Sequence, residues 1–362
     1  MKAKSATVSP GSLGYRMPAE WEPQRATWLA WPHNRSDWPG KFEPIPYVYA
    51  EIVRHLARAA SVELIVNDEA AEERARHTLT LANVLPGLKH RIAFHHWPTN
   101  RGWLRDSGPI FIKNKKGKVA LTDWRFNAWA KYRNWQLDNQ LPGRIAELRG
   151  CPAFEASVEV KGRERQMVLE GGSIDVNGRG LLLTTEECLL SSVQQRNPGM
   201  TREEIEAALG RMLGIRKVLW LEHGIVGDDT HGHVDDIARF AGPRTVLAAL
   251  EADPADENHR ILKENLKRLK AMTALDGKPL EVIPLPMPAP VVFKGQRVPA
   301  SYANFYISNR TVLVPIFDDP NDLGALNVIQ GALPRHQVIP IYCGDLIWGL
   351  GAIHCMTQQE PL

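Results

Sequence analysis

Five residues of the kinds that carry covalent and acid–base catalysis lie beside glycine-containing turns in separate parts of the chain: Asp106, Glu170, His233, Asp235 and Cys355. A thiol is a useful nucleophile only when a neighbouring base or cation converts it to the thiolate. Imidazole and carboxylate groups are the side chains that tune such ionisation and move protons. The set therefore indicates a cysteine-dependent site, provided that the fold brings the five residues together.

Each member of the set also has a purely structural interpretation. A cysteine is often a small buried hydrophobe, which is the alternative for Cys355. Asp106 follows Arg105, and the two are compatible with a surface ion pair of little energetic weight. Glu170 precedes Gly-Gly and can simply mark a turn. Only a common location would favour function over these alternatives.

The segment around Cys355 predicts a strand over residues 353–357, preceded by the glycines at 349 and 351. Neighbouring side chains of a strand point to opposite faces. On this prediction His354 faces away from Cys355 and is not its base. His231 and His233 alternate, so in a strand both would face the same side.

A pattern of hairpin, helix and strand recurs at intervals of roughly 60–70 residues. The predicted hairpins cover 110–124, 173–184, 234–250 and 303–316, the helices 137–148, 201–213, 257–271 and 321–331, and the closing strands 217–221 and 337–341. A fifth unit would join the C-terminal strand to a strand at 26–31, a helix at 48–60 and a strand at 62–66. Such closure removes free sheet edges. We expect one α/β-propeller domain over residues 1–362, with the unit turns converging at one end of its axis.

Composition excludes several classes of function. The chain has 362 residues, a net charge of +3 and interspersed charges without a basic stripe, so neither nucleic acid nor a membrane surface is an expected partner. No apolar run approaches the roughly 18 residues that span a bilayer, and residues 1–16 lack the apolar region of a signal peptide. The four cysteines form no C-x-x-C pair. These features favour a cytoplasmic protein.

One metal-dependent alternative stays open at this point. Residues 230–236 resemble the H-x-H-x-D-H signature of metallo-β-lactamase-type hydrolases, in which such residues bind zinc. Here His231, His233 and Asp235 would be the ligands, while Asp236 stands where the signature has its last histidine. This interpretation would leave Cys355 without a role.

Four motifs occur together and in a characteristic order: W-x-R-D-x-G-P at 103–109, E-G-G at 170–172, G-H-V-D at 232–235 and H-C-x-T-Q-Q at 354–359. Together they resemble the agmatine deiminase (agmatine iminohydrolase) family, also described as Porphyromonas-type peptidylarginine deiminases, within the guanidino-group-modifying superfamily. The resemblance runs from Met17 to Gln359. It implies a five-bladed α/β propeller with pseudo-fivefold symmetry, the pentein fold. Leu350 and Ala352 depart from the pattern, since many members have a glycine and an asparagine there.

The resemblance also implies roles for the five residues. Cys355 is the expected nucleophile, His233 the general acid/base, Glu170 its carboxylate partner, and Asp106 and Asp235 the pair that holds a guanidinium. The implied reaction hydrolyses agmatine to N-carbamoylputrescine and ammonia through a covalent thiouronium, in putrescine and polyamine biosynthesis. It requires no metal and no organic cofactor. A homodimer is a family expectation.

The sequence also offers candidate substrate contacts and alternative activities. Trp103 and Trp31 are candidate walls of the cleft, where an aromatic face can contact a cation, and Asn304 is a candidate substrate contact. The proline-rich segment 284–299 is predicted to be a long loop over the channel. Deimination of arginine or of peptidyl-arginine is the second enzymatic interpretation. A propeller that binds a guanidine without catalysis is the third.

Overall fold

The computed structural model describes residues 9–160 and 162–362; residues 1–8 and 161 of the predicted domain lie outside this part. The helices are α1 (Ile45–Ala59), α2 (Glu69–Leu81), α3 (Leu85–Leu88), α4 (Leu104–Ser107), α5 (Leu141–Arg149), α6 (Glu186–Leu190), α7 (Arg202–Leu213), α8 (Glu257–Ala271), α9 (Asp322–Ala332) and α10 (Ile353–Met356). The strands are β1 (Tyr15–Arg16), β2 (Gln24–Ala30), β3 (Ser61–Val66), β4 (Ile92–His96), β5 (Ile110–Asn114), β6 (Val119–Asp123), β7 (Ala153–Glu155), β8 (Ser157–Val160), β9 (Arg163–Gln166), β10 (Asp175–Val176), β11 (Leu181–Thr185), β12 (Lys217–Leu221), β13 (Ala238–Phe240), β14 (Thr245–Leu250), β15 (Glu281–Pro286), β16 (Val292–Phe293), β17 (Gln296–Arg297), β18 (Tyr306–Ser308), β19 (Thr311–Ile316), β20 (Gln337–Tyr342) and β21 (Gln358–Pro361).

The α/β architecture repeats one sheet pattern, in which an antiparallel pair is extended by a parallel strand. The orders β10-β11-β12, β13-β14-β15 and β18-β19-β20 show it directly. The order β1-β5-β6-β7 contains the same pattern with β1 added at its edge. Helices connect the parallel pairs, as crossover geometry requires. The predicted hairpin–helix–strand unit is therefore present in each of these sheets.

The remaining large sheet joins the two ends of the described chain, in the order β21-β2-β3-β4. Strand β21 pairs antiparallel with β2, and β2 pairs parallel with β3. The indole of Trp28 donates to Glu360 Oε2 at 2.8 Å, which ties the two strands through their side chains. The C-terminal segment that carries Cys355 is thus anchored in the same sheet as the N-terminal strand.

Local sequence explains how the helices are bounded. Helix α7 begins with a capping box in which Thr201 and Glu204 bind each other's backbone N–H groups, satisfying two donors that the first turn leaves free. It ends at Gly214, whose φ of 69° is the left-handed conformation that favours glycine. Helix α1 has a proline in its first turn, where no N–H is needed.

The predicted strand over residues 353–357 is wrong. Residues Ile353–Met356 form the single helical turn α10, and the strand begins only at Gln358. The side-chain oxygen of Asn304 accepts from the N–H of His354 at 3.0 Å, so a tertiary contact supplies the acceptor that a strand partner would provide. In a helical turn, adjacent side chains are about 100° apart, so His354 and Cys355 do not point in opposite directions.

Two further expectations need correction. The segment 284–299 is not one loop, because it starts in β15 and contains the hairpin β16–β17. Arg105 does not make a surface ion pair with Asp106, since it is 2% exposed and donates to Gln358 and Gln359 at 2.8 and 2.7 Å. Within the described residues, no helix is long and apolar enough to cross a membrane.

Candidate active site

Short turns at the entrances of the sheets carry the predicted site residues. Asp106 is in α4, which leads into β5, and Cys355 is in α10, which leads into β21. Glu170 precedes the 3-10 turn Gly171–Ser173, and Asp235 is inside the 3-10 turn Val234–Asp236. Helix α4 contacts both α10 and the first 3-10 turn, which in turn contacts the second. Equivalent positions of the repeat are therefore packed against one another.

Gly172 marks the point where three of the side chains meet. A Cβ atom at this position would lie 2.6 Å from His233 Nδ1, 2.8 Å from Asp106 Oδ1 and 3.1 Å from Asp235 Oδ2. Its own N–H donates to Asp106 Oδ1 at 3.0 Å. Only a residue without a side chain lets the two carboxylates and the imidazole approach so closely.

We therefore expect Gly172→Ala to lower kcat/KM at least about a hundredfold, because displacing these groups by about 1 Å spoils their alignment. Steady-state kinetics with agmatine, the substrate that the family resemblance implies, would measure this effect. Gly143→Ala is the control, since a Cβ there has nothing within 4 Å and a φ compatible with alanine, and it should leave kcat/KM unchanged. Wild-type kinetics in Gly172→Ala would contradict the geometry.

A cavity of about 300 Å³ opens onto Cys355 and Asp106. Indole rings form much of its wall. The lining residues are Ser36, Asp37, Pro39, Arg101, Trp103, Asp106, Trp129, Tyr132, Asp229, Thr230, Gln296, Trp348, Gly349, Leu350, Gly351 and Cys355. The volume suits a small free molecule. Asp37 is paired with Arg101 and Asp229 with Lys131, so Asp106 is the lining carboxylate without a Lys or Arg partner among the described residues, and it favours a positively charged ligand.

The Cys355 sulfur lies among acceptors and donors of one polar cluster. Asn304 Nδ2 donates to Sγ at 3.2 Å, and Asp235 Oδ2 is 3.8 Å from Sγ. Burial raises the pKa of the Cys355 thiol well above its usual value, and Asp235, Asp236 and Asp106 raise it further. The free site therefore holds a neutral thiol, and a bound cation would offset the carboxylate charges and favour the thiolate.

His233 is buried between two carboxylates. Its Nδ1 is 3.8 Å from Asp106 Oδ1, and its Nε2 is 3.8 Å from Glu170 Oε2. Burial lowers the pKa of the His233 imidazole, but Asp106 and Glu170 among others outweigh this and raise it well above its usual value. His233 is thus an imidazolium, the state that can donate a proton first and accept one later.

Glu170 is fixed behind His233 by a cation. Arg196 Nε donates to Glu170 Oε1 at 2.9 Å, and both side chains are fully buried. Burial raises the pKa of the Glu170 carboxyl, but the charges of Arg196 and His233 reverse this and hold it at about 2. Glu170 consequently stays ionised and keeps its second oxygen directed at His233.

The two aspartates differ in their surroundings. Asp106 Oδ2 accepts from the Trp129 indole at 2.8 Å, and burial raises the pKa of the Asp106 carboxyl to about 6. Asp235 Oδ2 accepts from His354 Nδ1 at 2.7 Å. Burial raises the pKa of Asp235, but the contact with His354 outweighs it, and the net shift is downward. Both can be anionic at neutral pH, the state in which they would bind a cation.

The remaining predicted contacts separate into two groups. Trp103 lines the cavity beside Cys355, and Asn304 contacts the sulfur from behind the wall. Trp31 lies elsewhere: its ring packs edge-on against Tyr49, and it lines a second cavity with His33. The prediction of Trp31 as a wall of this cleft is therefore wrong, because β2 ends one residue earlier and the chain turns away.

Three residues of the site are not among those predicted from the sequence: Trp129, Arg196 and His354. Trp129 has a left-handed φ of 59°, which the sequence does not indicate. Arg196 lies in a stretch without secondary structure and shows no periodic signal. His354 was set aside because a strand was predicted in place of α10. Its position beside Cys355 in the motif was the available signal.

Residues that could bind a metal form a different group from the predicted one. Donor atoms of Glu170, Cys188 and His233 lie within 4.8 Å of one another, but the Arg196 cation bound to Glu170 opposes a second cation there. His231 is instead next to Ser191 Oγ, at 3.1 Å. The proposed zinc ligands His231, His233 and Asp235 are therefore not brought together as a site.

Comparison with known proteins identifies the family of this chain. The model of the Porphyromonas-type peptidyl-arginine deiminase family matches residues 16–361. The chain belongs to this family. It is 36% identical to the agmatine deiminase of Pseudomonas syringae pv. syringae over 98% of this chain and 97% of that protein, and 35% identical to that of Ectopseudomonas mendocina over 98% of both. The solved agmatine deiminase of Enterococcus faecalis superimposes with a TM-score of 0.89 at 31% identity, covering 99% of this chain and 98% of that one.

Leu350 departs from the family pattern in a position with a measurable consequence. It has a φ of 66° and lines the cavity, and a left-handed backbone costs a residue with a Cβ atom about 1–2 kcal/mol relative to glycine. We expect Leu350→Gly to exceed Leu350→Ala in free energy of unfolding by about 1 kcal/mol. Both variants lose the side chain, so denaturant unfolding isolates the backbone effect. Equal stabilities would show that no strain is present.

Proposed function

We propose that this protein is an agmatine deiminase, a hydrolase that converts agmatine and water to N-carbamoylputrescine and ammonia in putrescine and polyamine biosynthesis. The observation that supports this most is the convergence of Asp106, Asp235 and His233 around Gly172, with Cys355 on the adjacent turn. A guanidinium is planar and cationic, and paired carboxylates are the groups that bind it through charge-assisted hydrogen bonds. Its carbon would then lie over the thiol.

Catalysis begins with binding. The guanidinium charge offsets the carboxylates that keep Cys355 neutral, so the pKa of the thiol falls. The thiol loses its proton to solvent water, and the resulting thiolate is the nucleophile. The sulfur forms a bond to the guanidinium carbon, giving a tetrahedral adduct. The C–N bond of the adduct breaks as the His233 imidazolium protonates the nitrogen, which leaves as ammonia. The product of this step is a thiouronium on Cys355.

Hydrolysis completes the cycle. The neutral His233 now accepts a proton from water while the water oxygen adds to the thiouronium carbon. Collapse of this second adduct breaks the C–S bond, and the proton of its hydroxyl group passes to the departing sulfur, which releases the ureido product and restores the thiol. Glu170 stabilises the His233 imidazolium before the first step and after the second, because Arg196 keeps Glu170 ionised. The ammonia takes up the proton that the thiol gave to solvent and ends as ammonium. The scheme uses only residues of this chain and water, and we propose that it uses no cofactor.

The far part of the cavity favours agmatine over arginine. Arg101 is the cation of the lining, but its guanidinium is bound to Asp37, within 3.4 Å of Asn134 Oδ1, and stacked on the Tyr132 ring. It is therefore already engaged and not free to bind an α-carboxylate. Agmatine keeps the ammonium of arginine but lacks its α-carboxylate, so it needs no free cation in the lining.

The cavity size disfavours a peptide substrate. Gln296 of β17 lines the cavity, and Phe293 of β16 packs on Trp348 with ring centroids 4.4 Å apart. The hairpin β16–β17 thus covers part of the opening, and a polypeptide needs an open cleft. Deimination of peptidyl-arginine is the alternative that this contact makes less favourable.

We further propose that the sheets form a five-bladed pentein propeller with pseudo-fivefold symmetry, within one domain over residues 1–362. The repeated strand order and the pairing of β21 with β2 support it. The described cysteines are all free, and a thiol nucleophile must stay reduced, which supports a cytoplasmic location. A homodimer stays a prediction.

A ureido-product assay with agmatine, arginine and a peptidyl-arginine ester, with and without a chelator, tests the proposal. We expect agmatine to have the highest kcat/KM, and the chelator to have no effect. Preference for the peptidyl ester would contradict the substrate. Loss of activity with the chelator would favour a metal-dependent hydrolase, and binding of agmatine without turnover a non-catalytic binder.

A further inference from the structure

His354 joins the active site to a buried ionic network behind it. Its Nδ1 is 2.7 Å from Asp235 Oδ2, and its Nε2 is 2.9 Å from Glu20 Oε2. The imidazole is 2% exposed. The ring therefore bridges a carboxylate of the site and a carboxylate that lies outside the cavity lining.

Both ring nitrogens of His354 must donate. Burial raises the pKa of Glu20, but Arg239 and His354 outweigh it and lower that pKa far below its usual range, and the pKa of Asp235 is also lowered. Two ionised carboxylates can only accept hydrogen bonds. The ring nitrogens of His354 are therefore the donors in both contacts.

Glu20 is held too firmly to follow any movement of His354. Its Oε1 accepts from Arg239 Nη2 at 2.9 Å and from the N–H of Ile307 at 2.7 Å. Its Oε2 is 3.4 Å from Arg105 Nη2. The far end of the bridge is thus a fixed anchor, and the near end orients Asp235.

The orientation of Asp235 matters because His354 binds only one of its two carboxylate oxygens. Asp235 Oδ2 is used by His354, whereas Oδ1 is buried and has no hydrogen-bond partner among the described residues. Unpaired buried carboxylate oxygens are costly unless a ligand satisfies them. Asp235 Oδ2 is also 3.8 Å from Cys355 Sγ, so the carboxylate that carries the free Oδ1 lies beside the sulfur.

We propose that His354 is a positioning residue: anchored on Glu20, it occupies Asp235 Oδ2 and leaves Oδ1 for the substrate guanidinium. The proposal rests on the proposed function only for the guanidinium as ligand. It predicts that His354 acts on the recognition of planar cations more than on the reactivity of Cys355 itself.

Two neutral variants separate positioning from simple structural support. In His354→Asn the side-chain amide can take the place of Nδ1 and still donate to Asp235. In His354→Gln the amide can reach the place of Nε2 and donate to Glu20 instead. Both keep one of the two hydrogen bonds and lose the other, so both should lose stability similarly, as thermal unfolding would show.

The readout is alkylation of Cys355 by two small reagents, followed by mass spectrometry of the Cys355 peptide. Chloroacetamidine is an amidinium, planar and cationic like a guanidinium, and iodoacetamide is its neutral counterpart. With either reagent the sulfur forms a C–S bond and displaces halide. The ratio of the two rates measures how the site responds to a bound planar cation, through its recognition and the thiolate that it favours. The ratio does not depend on the reactivity of the thiol in the free site or on which guanidine is the natural substrate.

We expect the ratio to fall about ten- to a hundredfold in His354→Gln, the size of a lost hydrogen bond to a charged group, and by less in His354→Asn. KM for agmatine should rise in the same order. Equal ratios in wild type and both variants, or a larger loss in His354→Asn, would overturn the proposal. A wild-type enzyme that prefers chloroacetamidine but does not turn over agmatine would overturn the proposed function alone.

Glu20→Gln keeps the test decisive if neither His354 variant folds. The amide of Glu20→Gln retains an oxygen that can accept from Nε2, but it removes the negative charge that strengthens this hydrogen bond. The alkylation ratio should then fall at least about threefold relative to wild type. An unchanged ratio in a folded Glu20→Gln protein would overturn the proposal.

Discussion

Cys355→Ser will be folded and inactive, with kcat reduced roughly 10⁴-fold or more because the covalent step has no substitute nucleophile. A serine hydroxyl can still accept the hydrogen bond that Asn304 Nδ2 donates to the sulfur, so stability should change by less than about 1 kcal/mol. Steady-state kinetics with agmatine and thermal unfolding of the same preparations measure the two effects.

The control for this variant is Cys151→Ser. Cys151 is a half-buried free thiol outside the cavity lining, so its replacement should leave kcat and KM within about twofold of wild type. Residual turnover of Cys355→Ser above a few per cent would show that the thiol is not the nucleophile.

Asp106→Asn should lower activity and raise stability. Loss of one of the two carboxylates that hold the guanidinium should cost about 2–5 kcal/mol of transition-state binding, or thirtyfold to several thousandfold in kcat/KM. The free energy of unfolding at neutral pH should rise by about 1 kcal/mol, because the variant no longer requires a buried charge. Kinetics and denaturant unfolding test the two parts separately.

The pH dependence gives the sign of the second part. The pKa of Asp106 is about 6 in the folded protein, against 3.8 as its ordinary value, so the folded state binds the proton more tightly than the unfolded state. The contribution of Asp106 to stability is fully present below about pH 4 and is lost as the pH rises through about 6. The advantage of Asp106→Asn should therefore appear above pH 6 and disappear towards pH 4.

Asp123→Asn is the matched control. Burial also raises the pKa of Asp123 to about 6, but Asp123 ends β6 and does not line the cavity. Its replacement should reproduce part of the pH-dependent stabilisation and leave kcat/KM unchanged. If Asp106→Asn were fully active, or if both variants lost activity equally, the assignment of Asp106 to guanidinium binding would be contradicted.

The sheet pattern could be predicted from the repeated unit in the sequence. Because a repeated unit places its turns at equivalent positions, the same repeat predicted that Asp106, His233, Asp235 and Cys355 lie together. Alternation and turn residues identify such units locally. The family motifs then supplied the chemistry. The terminal pairing of β21 with β2 followed from the same count of units.

Features set by distant contacts were not predictable. The local sequence predicts a strand where the structure has the turn α10. The turn forms because Asn304, about fifty residues earlier in the chain, accepts a hydrogen bond from the N–H of His354, and local sequence carries no signal of this contact. This single error removed His354 from consideration. Residue type alone made Trp31 a candidate wall of the cleft, and nothing in the sequence showed that its ring packs against Tyr49 and lines a second cavity.

The most direct test of the covalent mechanism is a rapid acid quench of wild-type turnover with agmatine. Ammonia and N-carbamoylputrescine are measured separately, and the mass of the Cys355 peptide is determined by mass spectrometry. The covalent mechanism predicts a burst of ammonia before the ureido product, matched by a Cys355 adduct with the mass of agmatine minus ammonia. Simultaneous release of both products, with Cys355 unmodified at every time point, would contradict it.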